Sequence, residues 1–113
     1  MNTVTSITQD ILTYGGMTWS PDRETPNYGY MISLKDYEYV CHIDDFDVSV
    51  VDAYQEVRPN TPNSYLGAWV HGDNVYLDIS LHVNTKAEAY MIADIENQFA
   101  VYNLYKNKSE FTR

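Results

Sequence analysis

The segment Tyr65-Leu66-Gly67-Ala68-Trp69-Val70-His71-Gly72-Asp73-Asn74-Val75-Tyr76-Leu77-Asp78-Ile79-Ser80-Leu81-His82-Val83 decides the fold. Two runs rich in β-branched and aromatic residues flank a turn signal, His71 to Asn74, which marks a β-hairpin. Pairing Val70 with Val75 across that turn sets Trp69 opposite Tyr76, Gly67 opposite Asp78 and Tyr65 opposite Ser80. Successive side chains point to opposite faces, so Leu66, Ala68, Val70, Val75, Leu77, Ile79 and Leu81 share one face, which must be core. The other face becomes an aromatic floor of Tyr65, Trp69 and Tyr76, with Asp78, Ser80 and His82 beside Gly67. Such a floor suits stacking of a base or a partner's aromatic ring, or burial against another layer or a second subunit.

Upstream, the period changes. Phe46, Val50, Tyr54 and Val57 recur at helical spacing, so residues 45–57 read as a helix capped by Asp44 or Asp45, with Asp47 favourable to its dipole. Arg58-Pro59 and the segment PNTPN end it. Before it, Tyr37 to Ile43 alternates as a half-buried strand, Tyr37, Tyr39, Cys41 and Ile43 on one side and Glu38, Val40 and His42 on the other. Gly29 to Leu34 and Met17-Thr18-Trp19 are further strands, separated by the loop-forming stretch SPDRETPN, a mobile segment. The chain opens with a helix near 5–14, in which Ser6 and Gln9 have capping-box spacing, Ile7, Ile11 and Leu12 share a face, and Gly15-Gly16 is the stop. Downstream, Thr85 and Glu88 form a capping box for a helix over 85–97 in which Ala87, Met91 and Ile95 recur at spacing four. Phe99 to Leu104 is the closing strand. The order α-β-β-β-α-β-β-α-β predicts an α+β fold, a mainly antiparallel sheet with helices packed on one face. At 113 residues the chain is one domain, with a short flexible C-terminal tail from about 106.

Residues 36–57 hold seven acids (Asp36, Glu38, Asp44, Asp45, Asp47, Asp52 and Glu56) and no Lys or Arg, which makes most of the net charge of −9. Asp45, Asp52 and Glu56 fall on one broad face of the predicted helix. Carboxylates displayed on a rigid surface can enter a groove evolved for phosphates, because its Lys and Arg donors serve both. The same row also serves as a solvated face that keeps the protein soluble. Lys and Arg total seven, three of them (Lys106, Lys108 and Arg113) in the tail, so the basic stripe needed for direct nucleic-acid binding is missing. Cys41 is the only cysteine, which excludes an internal disulfide. The N-terminus lacks the pattern of a signal peptide, and no apolar stretch reaches the roughly 18 residues of a membrane span. Together these predict a soluble cytoplasmic protein with no membrane partner.

Catalytic motifs do not occur. His42, His71 and His82 lie on three different elements without metal-ligand spacing, so no metal site is expected. Asp78 and His82 are about 13 Å apart along a strand, too far for a dyad. Ser80 lacks the G-x-S-x-G setting of a nucleophile, and Asp44 with Asp45 reads as a cap and its solvated neighbour. A non-enzymatic protein without cofactors is expected.

The frame Gly15-Gly16, Thr18, Pro21, Gly29-Tyr30, Ser33, Tyr65-Leu66-Gly67-x-Trp69, Val75-Tyr76-Leu77-Asp78-x-Ser80, Gln98, Ala100 and Leu104 resembles small acidic proteins carried by bacteriophages. That resemblance implies an accessory factor that blocks host nucleases or immune complexes, as anti-CRISPR and antirestriction proteins do, acting in the cytoplasm of an infected bacterium. The expected partner is a host protein with a basic surface, met by the acids of 36–57. Two alternatives stay open. A small-nucleotide binder would use the aromatic face and need a positive site from Arg23, Lys35 or Arg58; a structural protein would form a homodimer through that face.

Overall fold

A computed structural model describes residues 3–58 and 63–112. Within them the chain runs α1 (Val4–Tyr14), β1 (Gly16–Trp19), β2 (Tyr30–Ser33), β3 (Tyr39–His42), α2 (Val48–Glu56), β4 (Ser64–His71), β5 (Asn74–Val83), α3 (Lys86–Ile95), β6 (Ala100–Asn103) and β7 (Lys108–Phe111), with 3-10 turns at Lys35–Tyr37 and Ile43–Asp45. The order is the expected one plus a final strand. The stretch read as a frayed tail forms β7, which pairs antiparallel with β6 from Ala100↔Phe111 to Asn103↔Lys108. Lys108 and Glu110 made it look unlike a strand, but an edge strand accommodates charged residues on its open side.

The hairpin register is the one its pattern predicts: Val70↔Val75, Trp69↔Tyr76, Gly67↔Asp78 and Tyr65↔Ser80. The turn is tighter than the four-residue signal, with only Gly72 and Asp73 between paired His71 and Asn74. β5 pairs with β4 along one edge. Its other edge is divided, with β3 against residues 74–77 and β2 against residues 80–83. The sheet is antiparallel and ordered β1-β4-β5-β2-β6-β7, with β3 also on β5.

Leu66, Ala68, Val75, Leu77 and Ile79 are buried with Ile7, Ile11, Phe46, Val51 and Tyr54 beneath α1 and α2. A second cluster joins Tyr30, Ile32, Val83 and Val101 to Ala89 and Ala93 of α3. Ile32 lies opposite Leu81 and Tyr30 opposite Val83, so both clusters occupy the same face of the sheet. The three helices cover that face, and among the described residues no helix covers the other.

Local details depart from the sequence reading for identifiable reasons. The cap of α1 lies three residues before Ser6: Thr3 Oγ1 accepts from the Ser6 amide at 3.0 Å, and the Thr3 amide donates to Ser6 Oγ at 3.0 Å. Gly15 then ends the helix in the left-handed region at φ 83°, as expected. The cap of α2 is Asp47, which accepts from the Ser49 and Val50 amides, whereas Asp44 and Asp45 sit in the preceding 3-10 turn. Phe46 and Asp47 are extended, which lets Phe46 enter the core before the helix starts. The proline segment 59–62 expected to end α2 lies outside the described residues. In α3 the apolar face is reversed, since Ala89 and Ala93 are fully buried while Met91 and Ile95 are 59% and 71% exposed. Small residues face β2 and β6, and period-four counting alone cannot distinguish two apolar stripes. The SPDRETPN loop, read as mobile, is pinned: Arg58 donates to Ser20 Oγ and Asp22, and Thr25 donates to the Thr18 carbonyl.

Leu77→Ala removes a fully buried side chain at the centre of the sheet and is expected to cost about 2–5 kcal/mol, measured by denaturant unfolding. On α3, Ala93→Leu should destabilise by about 1–3 kcal/mol through overpacking, whereas Met91→Ala should stay within about 0.5 kcal/mol. The opposite ranking would mean that α3 presents its other stripe to the sheet.

Candidate functional site

The face of the sheet that no helix covers holds a trough of about 810 Å³, lined from β1 through β4, β5 and β2 to β6 and β7 and by the loop residues Thr25, Pro26 and Asn27. Its floor is made of short side chains, Gly16, Thr18, Gly67, Ser33, Ala100 and Ser109, and Trp69 and Tyr102 rise at its sides. Alternation explains this composition, because each of these residues is out of phase with the core set on its own strand. Asp78 is the only charged residue among those lining the trough.

Asp78 stands where the divided edge of β5 changes partner, between the pairs Leu77↔Tyr39 and Ser80↔Ser33. The chain leaves β2 there, with the Leu34 amide donating to the Ile79 carbonyl at 2.8 Å, and returns as β3. That detour brings Ser33 and Glu38 to the same carboxyl. Ser33 Oγ donates to Asp78 Oδ2 at 3.1 Å, the one donor that reaches it among the described residues. The carboxyl lies across Gly67, where a Cβ would stand 2.4 Å from Asp78 Oδ1, so any larger residue there must displace the carboxyl. Burial holds the Asp78 carboxyl above the usual carboxylate range, the Ser33 bond opposes this, and the negative charge of Glu38 adds to it.

The aromatic floor divides in two. Trp69 and Tyr76 stack at a centroid distance of 5.2 Å and an interplanar angle of 11°, and Trp69 is 46% exposed. Tyr65 instead is buried: the Arg23 guanidinium lies 4.8 Å over its ring, and Arg23 also donates to the Tyr65 hydroxyl and the Ser64 carbonyl. His82 is likewise engaged, its Nε2 donating to the Tyr28 carbonyl at 2.7 Å. The expected floor of Tyr65, Trp69, Tyr76 and Asp78 is therefore an open stack beside a half-buried acid, with Tyr65 withdrawn by a cation from another element.

All seven acids of 36–57 are exposed, and none pairs with a Lys or Arg among the described residues. They do not form the helical row expected for Asp45, Asp52 and Glu56, because Asp45 precedes the helix. Asp47 is committed to capping, and its bonds to Ser49 and to the Val50 amide lower its pKa. Asp44 lies 3.6 Å from His42 Nδ1. Asp52 and Glu56 remain on α2 one turn apart, and Glu38 adjoins Tyr39. Between α2 and β3 lies a cleft of about 430 Å³ lined by Tyr39, Ser49, Val50, Ala53, Tyr54 and Val57. Sequence reasoning missed this cleft; the alternation that puts Tyr39 on the helix side was its only signal. The Tyr54 hydroxyl donates to the Tyr37 carbonyl, which ties α2 to the turn ahead of β3.

The arginines named as candidate phosphate binders have other partners. Arg58 pairs with Asp22 at 3.3 Å and Arg23 covers Tyr65; the Arg58 bond, with that from Ser20, holds the Asp22 carboxyl down at about 2. Lys35 is exposed, but neither it nor either arginine lines the trough. No protein-family model matches the chain, and no curated protein or solved structure is significantly similar to it. The site must therefore be read from its own chemistry.

Asp78 makes a pH-dependent prediction. Below the ordinary carboxyl value of 3.8, folded and unfolded states both hold the proton and burial of the group carries no charge penalty. As pH rises through the elevated folded value, the folded state takes on that penalty, so stability falls. Asp78→Asn is expected to raise the melting temperature at pH 7 and to leave it nearly unchanged at pH 3. A variant less stable than the parent at pH 7 would show that the Asp78 carboxylate is a structural asset.

Proposed function

We propose that the protein is a non-enzymatic inhibitor that binds a cationic, nucleic-acid-engaging surface of another protein, in the manner of phage anti-defence factors such as anti-CRISPR proteins. The cytoplasm of an infected bacterium is the setting this reading requires. The observation that carries it is the apolar cleft between β3 and α2, set among carboxylates that no Lys or Arg neutralises among the described residues. An apolar centre with a charged rim is the anatomy of a protein interface: the cleft supplies desolvated contact, and the rim steers a partner of opposite charge. The half-exposed Tyr39 and Val57 are its candidate anchors. A phosphate-bearing ligand is disfavoured, because net charge −9 repels it and Arg23 and Arg58 are held by protein groups.

The combined variant Glu38→Gln, Asp52→Asn, Glu56→Gln should change stability by less than about 1 kcal/mol, since exposed charges contribute little. It should bind a basic partner captured from bacterial lysate more slowly and with a flatter salt dependence. Added duplex DNA should compete with the parent protein for that partner. Equal capture by parent and variant at low and at physiological salt would mean that the carboxylates serve solubility alone.

A further inference from the structure

We infer that the trough on the sheet face that no helix covers is a binding site for an arginine side chain presented by an extended segment of a partner protein, with Asp78 as the guanidinium acceptor and Trp69, backed by Tyr76, as its aromatic wall. This rests on the reading that the partner is cationic, but it concerns the opposite face of the sheet from the α2 cleft.

Charge complementarity selects the occupant. Asp78 is the only charged side chain lining the trough, and Ser33 is the one donor that reaches it among the described residues. Much of its acceptor capacity is thus unused within the trough. A planar guanidinium supplies parallel donors to a carboxylate and stacks on an aromatic face, which an ammonium does less well. The distances fit. Trp69 and Tyr76 lie one side-chain repeat along β4 and β5 from the Gly67↔Asp78 pair, or about 6.7 Å by strand geometry, which an arginine stem laid over Gly67 and Gly16 spans. Short side chains on the floor leave space for that stem, and the volume is within the range of sites that hold one ligand group. Engagement of a cation also relieves the burial penalty on the carboxylate, so binding should release a proton wherever the free Asp78 carboxyl is still partly protonated.

The test uses the whole protein and a capped pentapeptide, Ala-Ala-Arg-Ala-Ala, followed through the Trp69 indole N–H signal and the backbone amides of β4 and β5. Saturable shifts confined to the trough are expected at micromolar to millimolar peptide. The same peptide with citrulline, the neutral isostere, should bind about tenfold more weakly or worse, as should the Arg peptide to Asp78→Asn. Trp69→Ala, which alters an exposed side chain, should also weaken binding and serves as a second variant if Asp78→Asn misfolds. Affinity for the parent should rise as pH increases through the titration of Asp78. The combined Glu38, Asp52 and Glu56 variant should keep most of the peptide affinity, which separates this site from the α2 surface. Equal binding of the citrulline peptide, or unchanged affinity in both single variants, would overturn the inference. So would a concentration-dependent dimer that occludes the trough, or preferential binding of free agmatine over the peptide.

Discussion

β5 is paired along both edges, and its second edge is divided between two short strands. That division is the constraint on which the rest of the structure depends. Pairing with β4 over its length makes β5 rigid, while β3 and β2 in tandem force the chain to leave and re-enter the sheet beside Asp78. The seam delivers Ser33 on one side of the carboxyl and Glu38 on the other. A single long neighbouring strand would keep Ser33 opposite Ser80 but would not bring Glu38 back to that position. It would also leave no turn at Lys35–Tyr37 for the Tyr54 hydroxyl to hold.

The same alternation sorts chemistry between the two sides of the sheet. Every second residue of β4 and β5 points to the face that the helices cover, and the intervening ones form a floor that carries small, aromatic and acidic side chains. Positive charge is distributed differently. Arg23 fastens the 20–25 loop to Tyr65 and Arg58 holds that loop through Asp22, whereas the acids of 36–57 face solvent. The outcome is a molecule in which Arg23 and Arg58 are structural while most of the acids of 36–57 remain unpaired with Lys or Arg among the described residues.

The hairpin register could be read from the sequence because it depends on local quantities, the period of two and the length of the turn. Glycine at position 67 opposite an acid was visible in the same way. The boundaries of the three helices were close for a similar reason: caps and stops such as Thr85 and Gly15 act within one turn. Other features depend on contacts far apart in sequence. Which of two apolar stripes α3 buries was decided by how closely β2 and β6 approach it, and β7 exists because β6 offers an edge. The withdrawal of Tyr65 required Arg23, forty-two residues away along the chain.

Charge, strand alternation and the sorting of residues between a core face and an open face were therefore properties of the sequence by itself, since each is set by neighbours along the chain. Tertiary structure alone decided that Asp78 is half-buried at a seam, that Arg23 and Arg58 are occupied, and that an apolar cleft opens between β3 and α2. The physical reason is that desolvation and charge pairing depend on distances across the fold, which residue spacing does not encode.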